Sequence, residues 1–158
     1  MKENKAIIVT TQMLIRKPVA EVFEAFINPE RTTQFWFTHS TGRLEENKTL
    51  TWTWEMYGAS TEVEVKKIIP NELIAVVWDN PRENVDFHFT GSADNSSTYV
   101  VVKNYNFSEE ADALLSKLID TTGGFTTVLD GAKCWLEHGF NLNLIKDKFP
   151  AAFTNVNI

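Results

Sequence analysis

The sequence predicts an α+β fold: a curved antiparallel sheet around a long C-terminal helix, with two short helices closing one end. Three observations carry this expectation. Between about residues 49 and 107, apolar and polar residues alternate in runs separated by short turns, as in an antiparallel meander. After Ser108 the period becomes helical. Before the meander, a single strand leads into a short apolar helical face. A sheet with one apolar face must be covered, and only the terminal helix is long enough to cover this one. The 158 residues are expected to form one domain, 1–158.

The elements follow in order. The stretch from Ala6 to Arg16 is rich in β-branched residues and reads as a strand. Pro18 suits the first turn of a helix, and Val19, Val22, Phe23 and Phe26 make one face of it. Asn28-Pro29 breaks that helix, because the residue before proline avoids the α region. A short second helix is expected to carry Phe35 and Trp36. Leu50, Trp52, Trp54 and Met56 then alternate with Thr49, Thr51, Thr53 and Glu55. Tyr57-Gly58 turns into a strand from Ser60 to Ile69, and Pro70-Asn71-Glu72 turns into another from Leu73 to Trp78, ended by Asn80-Pro81. Val85, Phe87 and Phe89 alternate with Asp86 and His88. Asp94-Asn95 leads to a last strand from Ser97 to Phe107. Ser108 is the expected N-cap of the terminal helix, with Glu109 and Glu110 in its first turn. Ala111, Leu114, Leu115 and Leu118 keep the period. Gly123-Gly124 is expected to interrupt it. Phe125, Leu129, Ala132, Leu136 and Phe140 form a new stripe in a helix running to about Lys148.

Composition narrows the classes. With 43% hydrophobic and 23% charged residues, the chain is neither disordered, collagenous nor coiled-coil. A net charge of −6 disfavours nucleic acid, whose binding depends on Lys and Arg at phosphates. Apolar runs are too short to span a bilayer, and no apolar segment after Met1-Lys2 suggests a signal peptide. The single cysteine, Cys134, allows neither an internal disulfide nor a cysteine-rich metal site. A cytoplasmic location is the expectation.

Four stretches carry a family likeness. Ile15-Arg16-Lys17-Pro18 with Val22-Phe23 and Ala25-Phe26 resembles a strand-to-helix entry. Asn28-Pro29-Glu30 with Phe35-Trp36 resembles an Asp-Pro-Glu segment followed by two Trp. Val65 to Trp78, with Pro70 in the turn, resembles a pair of central strands. Gly124, Val128-Leu129 and Trp135-Leu136 resemble a terminal helix. In this order they resemble the activator of Hsp90 ATPase homologue-like family, within the START-like (SRPBCC) superfamily. The resemblance implies a helix-grip, Bet v 1-like fold with a central cavity for apolar or amphipathic small molecules. Phe35 stands where the family has its first Trp, and Asn104 and Asn106 stand at what is usually His and Gly. The superfamily includes carriers, receptors and cyclases, so the fold alone does not fix a function.

The aromatic side chains fit either a cavity wall or a filled core, since small-molecule sites are mostly apolar and interiors are close-packed. The expected wall is Trp36, Trp54, Trp78, Phe87, Phe89, Val102, Phe125 and Leu129. Asn104 is the expected polar anchor, because it shares parity with Val100 and Val102. His39, His88 and His138 sit in no metal-ligand motif, and neither a metal nor a cofactor is expected. Acid–base chemistry would need a converging pair such as His39 with Glu55 or Arg43 with Asp86. Cys134 reads as an inert thiol, with Lys133 beside it as a counter-indication. Gly123-Gly124 reads as a C-cap or as a hinge at the cavity mouth. The leading expectation is a non-enzymatic binding domain for a small hydrophobic ligand, lipids included. The alternatives are a chaperone partner, whose ATPase it would modulate, and a cyclase or hydrolase acting in the cavity. A homodimer stays open, with Phe149, Phe153 and Ile158 as an apolar patch for a partner or for the chain's own body.

Overall fold

The computed structural model describes residues 6–78 and 82–153. Its strands are β1 (Ile8–Ile15), β2 (His39–Ser40), β3 (Thr49–Trp54), β4 (Ala59–Ile69), β5 (Leu73–Trp78), β6 (Glu83–Gly91) and β7 (Thr98–Tyr105). They form one antiparallel sheet in the order β1-β7-β6-β5-β4-β3-β2. The helices are α1 (Val19–Ile27), α2 (Pro29–Thr32), α3 (Ala111–His138) and α4 (Leu144–Lys148). The expected α+β architecture is the observed one: a curved sheet, a long C-terminal helix and short helices. Among the described residues no helix is long and apolar enough to cross a membrane. The expected strand break at Asn80-Pro81 and the patch residue Ile158 lie outside the described residues.

Alternation settles which face each strand buries. In β6, Val85, Phe87 and Phe89 are buried while Asp86 and His88 sit on the other face. In β7, Val100, Val102 and Asn104 are buried in register with them. A bulge between Val65 and Lys67 in β4 inserts one residue. Such bulges bend a strand and sharpen its twist, and this one returns Ile68 to the same face as Val63 and Val65, opposite Ile74.

The short helices differ slightly from expectation. Pro18 donates no N–H, and α1 starts directly after it. The first amide, Val19 N–H, donates to Asn95 Oδ1 in the β6–β7 turn at 3.2 Å. Asn28 caps α2 by accepting from Glu30 N–H at 3.0 Å, with Pro29 at the first helical position. The helix stops at Thr32, so Phe35 and Trp36 lie in the turn after it rather than on it. Trp36 N–H still donates to Thr32 O at 3.0 Å. The turn sends the two rings to different places. Phe35 packs on Trp135 of α3, and Trp36 reaches the open end of the sheet.

The terminal helix corrects three expectations. It begins at Ala111 rather than at Ser108. It passes through Gly123-Gly124 without a break. Neither glycine takes the left-handed conformation that stops a helix, whereas Gly139 does, at φ 74°. Gly139 N–H caps Trp135 O at 2.8 Å and ends α3 there, well short of Lys148. Glycine inside a helix costs only about 1 kcal/mol relative to alanine. Burial of Phe125, Val128 and Leu129 outweighs that cost. Beyond the cap, Phe140 is exposed rather than part of the stripe.

The C-terminal half of α3 clasps the sheet at its β1 edge. Lys133 Nζ donates to Leu14 O at 2.8 Å, and Arg16 N–H donates to Glu137 Oε1 at 2.8 Å. Leu14 lies on the edge strand β1 and Arg16 directly follows it, so both backbone groups would otherwise be open to pairing with another strand. Lys133 also pairs with Glu137 at 2.9 Å, so the amine beside Cys134 is already engaged. Burial pushes the Glu137 pKa up, but the Lys133 ammonium and the Arg16 amide outweigh it and hold the carboxyl below the ordinary glutamate value. A lowered pKa adds stability above the unfolded glutamate's pKa, and that stability is lost as pH falls through the folded value. Glu137→Gln should therefore cost about 1–2 kcal/mol at neutral pH in urea unfolding. The gap from wild type should narrow as pH falls below the ordinary glutamate range and close once the folded carboxyl is protonated.

Candidate functional site

The inner space is divided. Its middle is solid. Phe23 and Phe26 of α1 meet Phe89 at ring-centroid distances of 5.2 and 5.6 Å, and Phe26 meets Phe87 at 5.5 Å. At one end, a cavity of about 760 Å³ opens to solvent between the strand ends, the N-terminal half of α3 and α4. Six aromatic side chains border it: Trp36, Trp54, Tyr57, Trp78, Phe125 and Phe149.

Four expected wall residues, Trp36, Trp54, Trp78 and Phe125, lie on this cavity. The other five do not. Phe87, Phe89, Val102, Asn104 and Leu129 are all within the packed interior, none more than 4% exposed. In place of a central cavity, rings from α1 and from the turn after α2 pack the middle of the fold, and the open space described above lies where α3 extends past them. Asn104 holds the inner parity expected of it, but it serves the core. Its Nδ2 donates to Asn84 O at 2.9 Å and to Glu83 Oε2 at 3.4 Å.

Glu83 is the site's unexpected member. Its side chain is 0% exposed, yet it ends at the cavity wall through its partners. Lys117 of α3 meets Oε1 at 2.7 Å, and Trp78 Nε1–H donates to Oε2 at 3.2 Å. A buried carboxylate needs such partners, because an unpaired charge in the interior is costly. The cluster in turn fixes Trp78, whose ring stacks on Phe125 at 5.6 Å and 11°. Alternation from Val85, Phe87 and Phe89 back to residue 83 would have placed Glu83 on the inner face. Helical spacing would have placed Lys117, Gly124 and Val128 on one face of α3.

The glycines are wall elements, not a break. Gly123 and Gly124 border the cavity, and a Cβ on Gly124 would meet no atom within 4 Å. Of the C-terminal patch, Phe149 docks on the chain itself, with its ring 6.4 Å from that of Tyr57. The Tyr57 hydroxyl donates to Ile145 O and ties α4 to the cavity rim. Phe153 remains exposed.

Of the candidate acid–base groups, Arg43 and Asp86 are engaged with other partners. Arg43 makes a two-pronged pair with Glu24 at 2.5 and 2.6 Å, so it does not meet Asp86, which accepts from Tyr105 OH at 3.0 Å. The Arg43 guanidinium holds the Glu24 carboxyl below its ordinary value. His39, His88 and His138 lie on β2, β6 and the end of α3. Among the described residues no group of three His, Cys, Asp or Glu side chains converges as a metal would require.

Removing Lys117 isolates Glu83. Lys117→Met should lower stability by about 3 kcal/mol in urea unfolding, and the double change with Glu83→Gln should recover much of it. A loss below about 1 kcal/mol, the level of an exposed pair, would mean that the pair is solvated.

The family model described as activator of Hsp90 ATPase homolog 1-like protein matches residues 16–134. No match is found among curated proteins. Solved structures share the fold. Protein SSP2350 from Staphylococcus saprophyticus is 29% identical, over 86% of this chain and 96% of that one, at a TM-score of 0.76. The Aha1 dimer from Colwellia psychrerythraea is 16% identical over 84% and 98%, at 0.71. DynU16, a putative protein in the dynemicin biosynthetic locus, is 20% identical over 85% and 48%, at 0.75.

Proposed function

Since the chain belongs to the activator of Hsp90 ATPase homolog 1-like family, we propose that it is a non-enzymatic binding domain for one small, largely apolar aromatic molecule held at the open end of the fold. The observation that carries this is the cavity itself: about 760 Å³, with six aromatic side chains on its border. Ligand pockets commonly measure roughly 300–1,000 Å³ and are mostly apolar with a few polar groups. The proposed contacts are Trp36, Trp54, Trp78 and Phe125. The packed Phe87, Phe89, Val102, Leu129 and Asn104 would support the wall from behind. Burying about 200 Å² of apolar ligand surface is worth roughly 5 kcal/mol before the cost of association. Glu83 and Lys117 neutralise one another and hold Trp78 in place, a positioning role that needs no proton transfer. The family description favours one other reading, contact with the ATPase of an Hsp90-type chaperone, which an ATPase assay with that chaperone would test.

The test uses N-phenyl-1-naphthylamine, an uncharged dye that brightens in apolar surroundings. The wild-type protein should bind it and brighten it. Gly124→Leu places a side chain in the empty space beside that residue, in a helix that tolerates leucine well. It should weaken dye binding by about tenfold or more, roughly 1.4 kcal/mol, with the far-UV circular dichroism retained. No brightening by the wild-type protein, or equal binding by the variant, contradicts the proposal.

A further inference from the structure

The charges at the rim say more about the occupant. Three ionisable groups with full charges border the cavity: Lys117, Asp120 and Lys148. Lys117 is cancelled by Glu83 at 2.7 Å. Asp120 is exposed and solvated on the outer turn of α3. Lys148 is exposed as well, and it is held at the cavity border by the protein. Its ammonium crosses from α4 to α3, where Nζ donates to Thr127 Oγ1 at 3.2 Å. It also rests against Gly123, where a Cβ would lie 3.2 Å from it. Thr127 is itself spent, since its hydroxyl donates to Gly123 O at 2.9 Å. Among the described residues Lys148 forms no ion pair. An ammonium has three donors, and only one of these three finds an acceptor in the described protein. Lys148 also lies near the ring of Phe149, with its centroid 5.8 Å away.

A cation with spare donors beside an aromatic wall is complementary to one kind of molecule. We propose that the cavity takes an aromatic organic anion, its rings against Trp54, Trp78 and Phe125 and its anionic oxygens on Lys148. Charge-assisted hydrogen bonds of this kind are about twice as strong as neutral ones. The overall charge of −6 repels anions, so any preference for one has to arise locally. The inference rests on the binding reading above and deepens it.

Two probes with the same ring system separate the two ideas. They are 8-anilinonaphthalene-1-sulfonate, whose sulfonate supplies the anionic oxygens, and the uncharged N-phenyl-1-naphthylamine. The quantity read is the ratio of their affinities. Lys148→Met should lower the ratio of anionic to neutral binding by about tenfold. Lys146→Met removes the same charge from the same short helix but does not border this cavity, and it should change the ratio by less than about twofold. Equal ratios in wild type and Lys148→Met, or equal falls in both variants, overturn the anion inference and leave the binding reading standing. Binding of neither probe overturns both.

Discussion

The ring of Trp36 packs against six other aromatic rings, those of Phe37, Trp52, Trp54, Trp78, Phe87 and Phe125, at centroid distances from 4.9 to 6.5 Å. On one side of it lie Trp52 and Phe87, each about 1% exposed. On the other lie Trp54 and Trp78, which border open space. The indole therefore seals the interior and forms the floor of the cavity at once. Aromatic pairs add roughly 0.5–1.5 kcal/mol each beyond burial, so a ring with six such neighbours is hard to displace. Where the solid core ends and open space begins depends on this one side chain.

The position of α3 follows from two Lys–Glu pairs. Lys133 and Glu137 tie its C-terminal half to the β1 edge through backbone groups of Leu14 and Arg16. Lys117 ties its N-terminal half to the buried Glu83 at the start of β6. Between them, Gly123 and Gly124 present bare backbone to the cavity. Any larger residue at 124 would occupy the space, and one at 123 would move the Lys148 ammonium. The helix is thus held at both halves and left thin between them. That combination keeps a void of this size beside a well-packed core.

The architecture was legible because alternation and helical period are strong signals over long stretches. The meander from β3 to β7 and the stripe of Phe125, Leu129, Ala132 and Leu136 both follow from them. The misplaced break and end of the terminal helix share one physical cause. Glycine acts as a stop only in the left-handed conformation, and nothing local distinguishes Gly123-Gly124 from Gly139 in that respect. The site was half legible. Aromatic residues on inner faces named Trp36, Trp54, Trp78 and Phe125, which border the cavity, but the same pattern fits the packed core that holds Phe87, Phe89, Val102 and Leu129. Which rings face space depends on where the turn after α2 sends Trp36, a matter of tertiary packing. Glu83 was overlooked because a carboxylate reads as surface unless its strand parity is followed through, and Lys148 because it reaches the cavity only after the chain has doubled back.

The most direct measurement of the account is an NMR titration of the 15N-labelled protein with N-phenyl-1-naphthylamine. The indole N–H resonances of Trp36, Trp54 and Trp78 and the amides of Gly123 and Gly124 should move together and saturate together. Those of Trp135, Phe89 and Val102 should stay in place. Shifts concentrated at Phe89 and Val102, or none at the Trp78 indole, would contradict it, for the binding space would then lie in the centre of the fold or not exist.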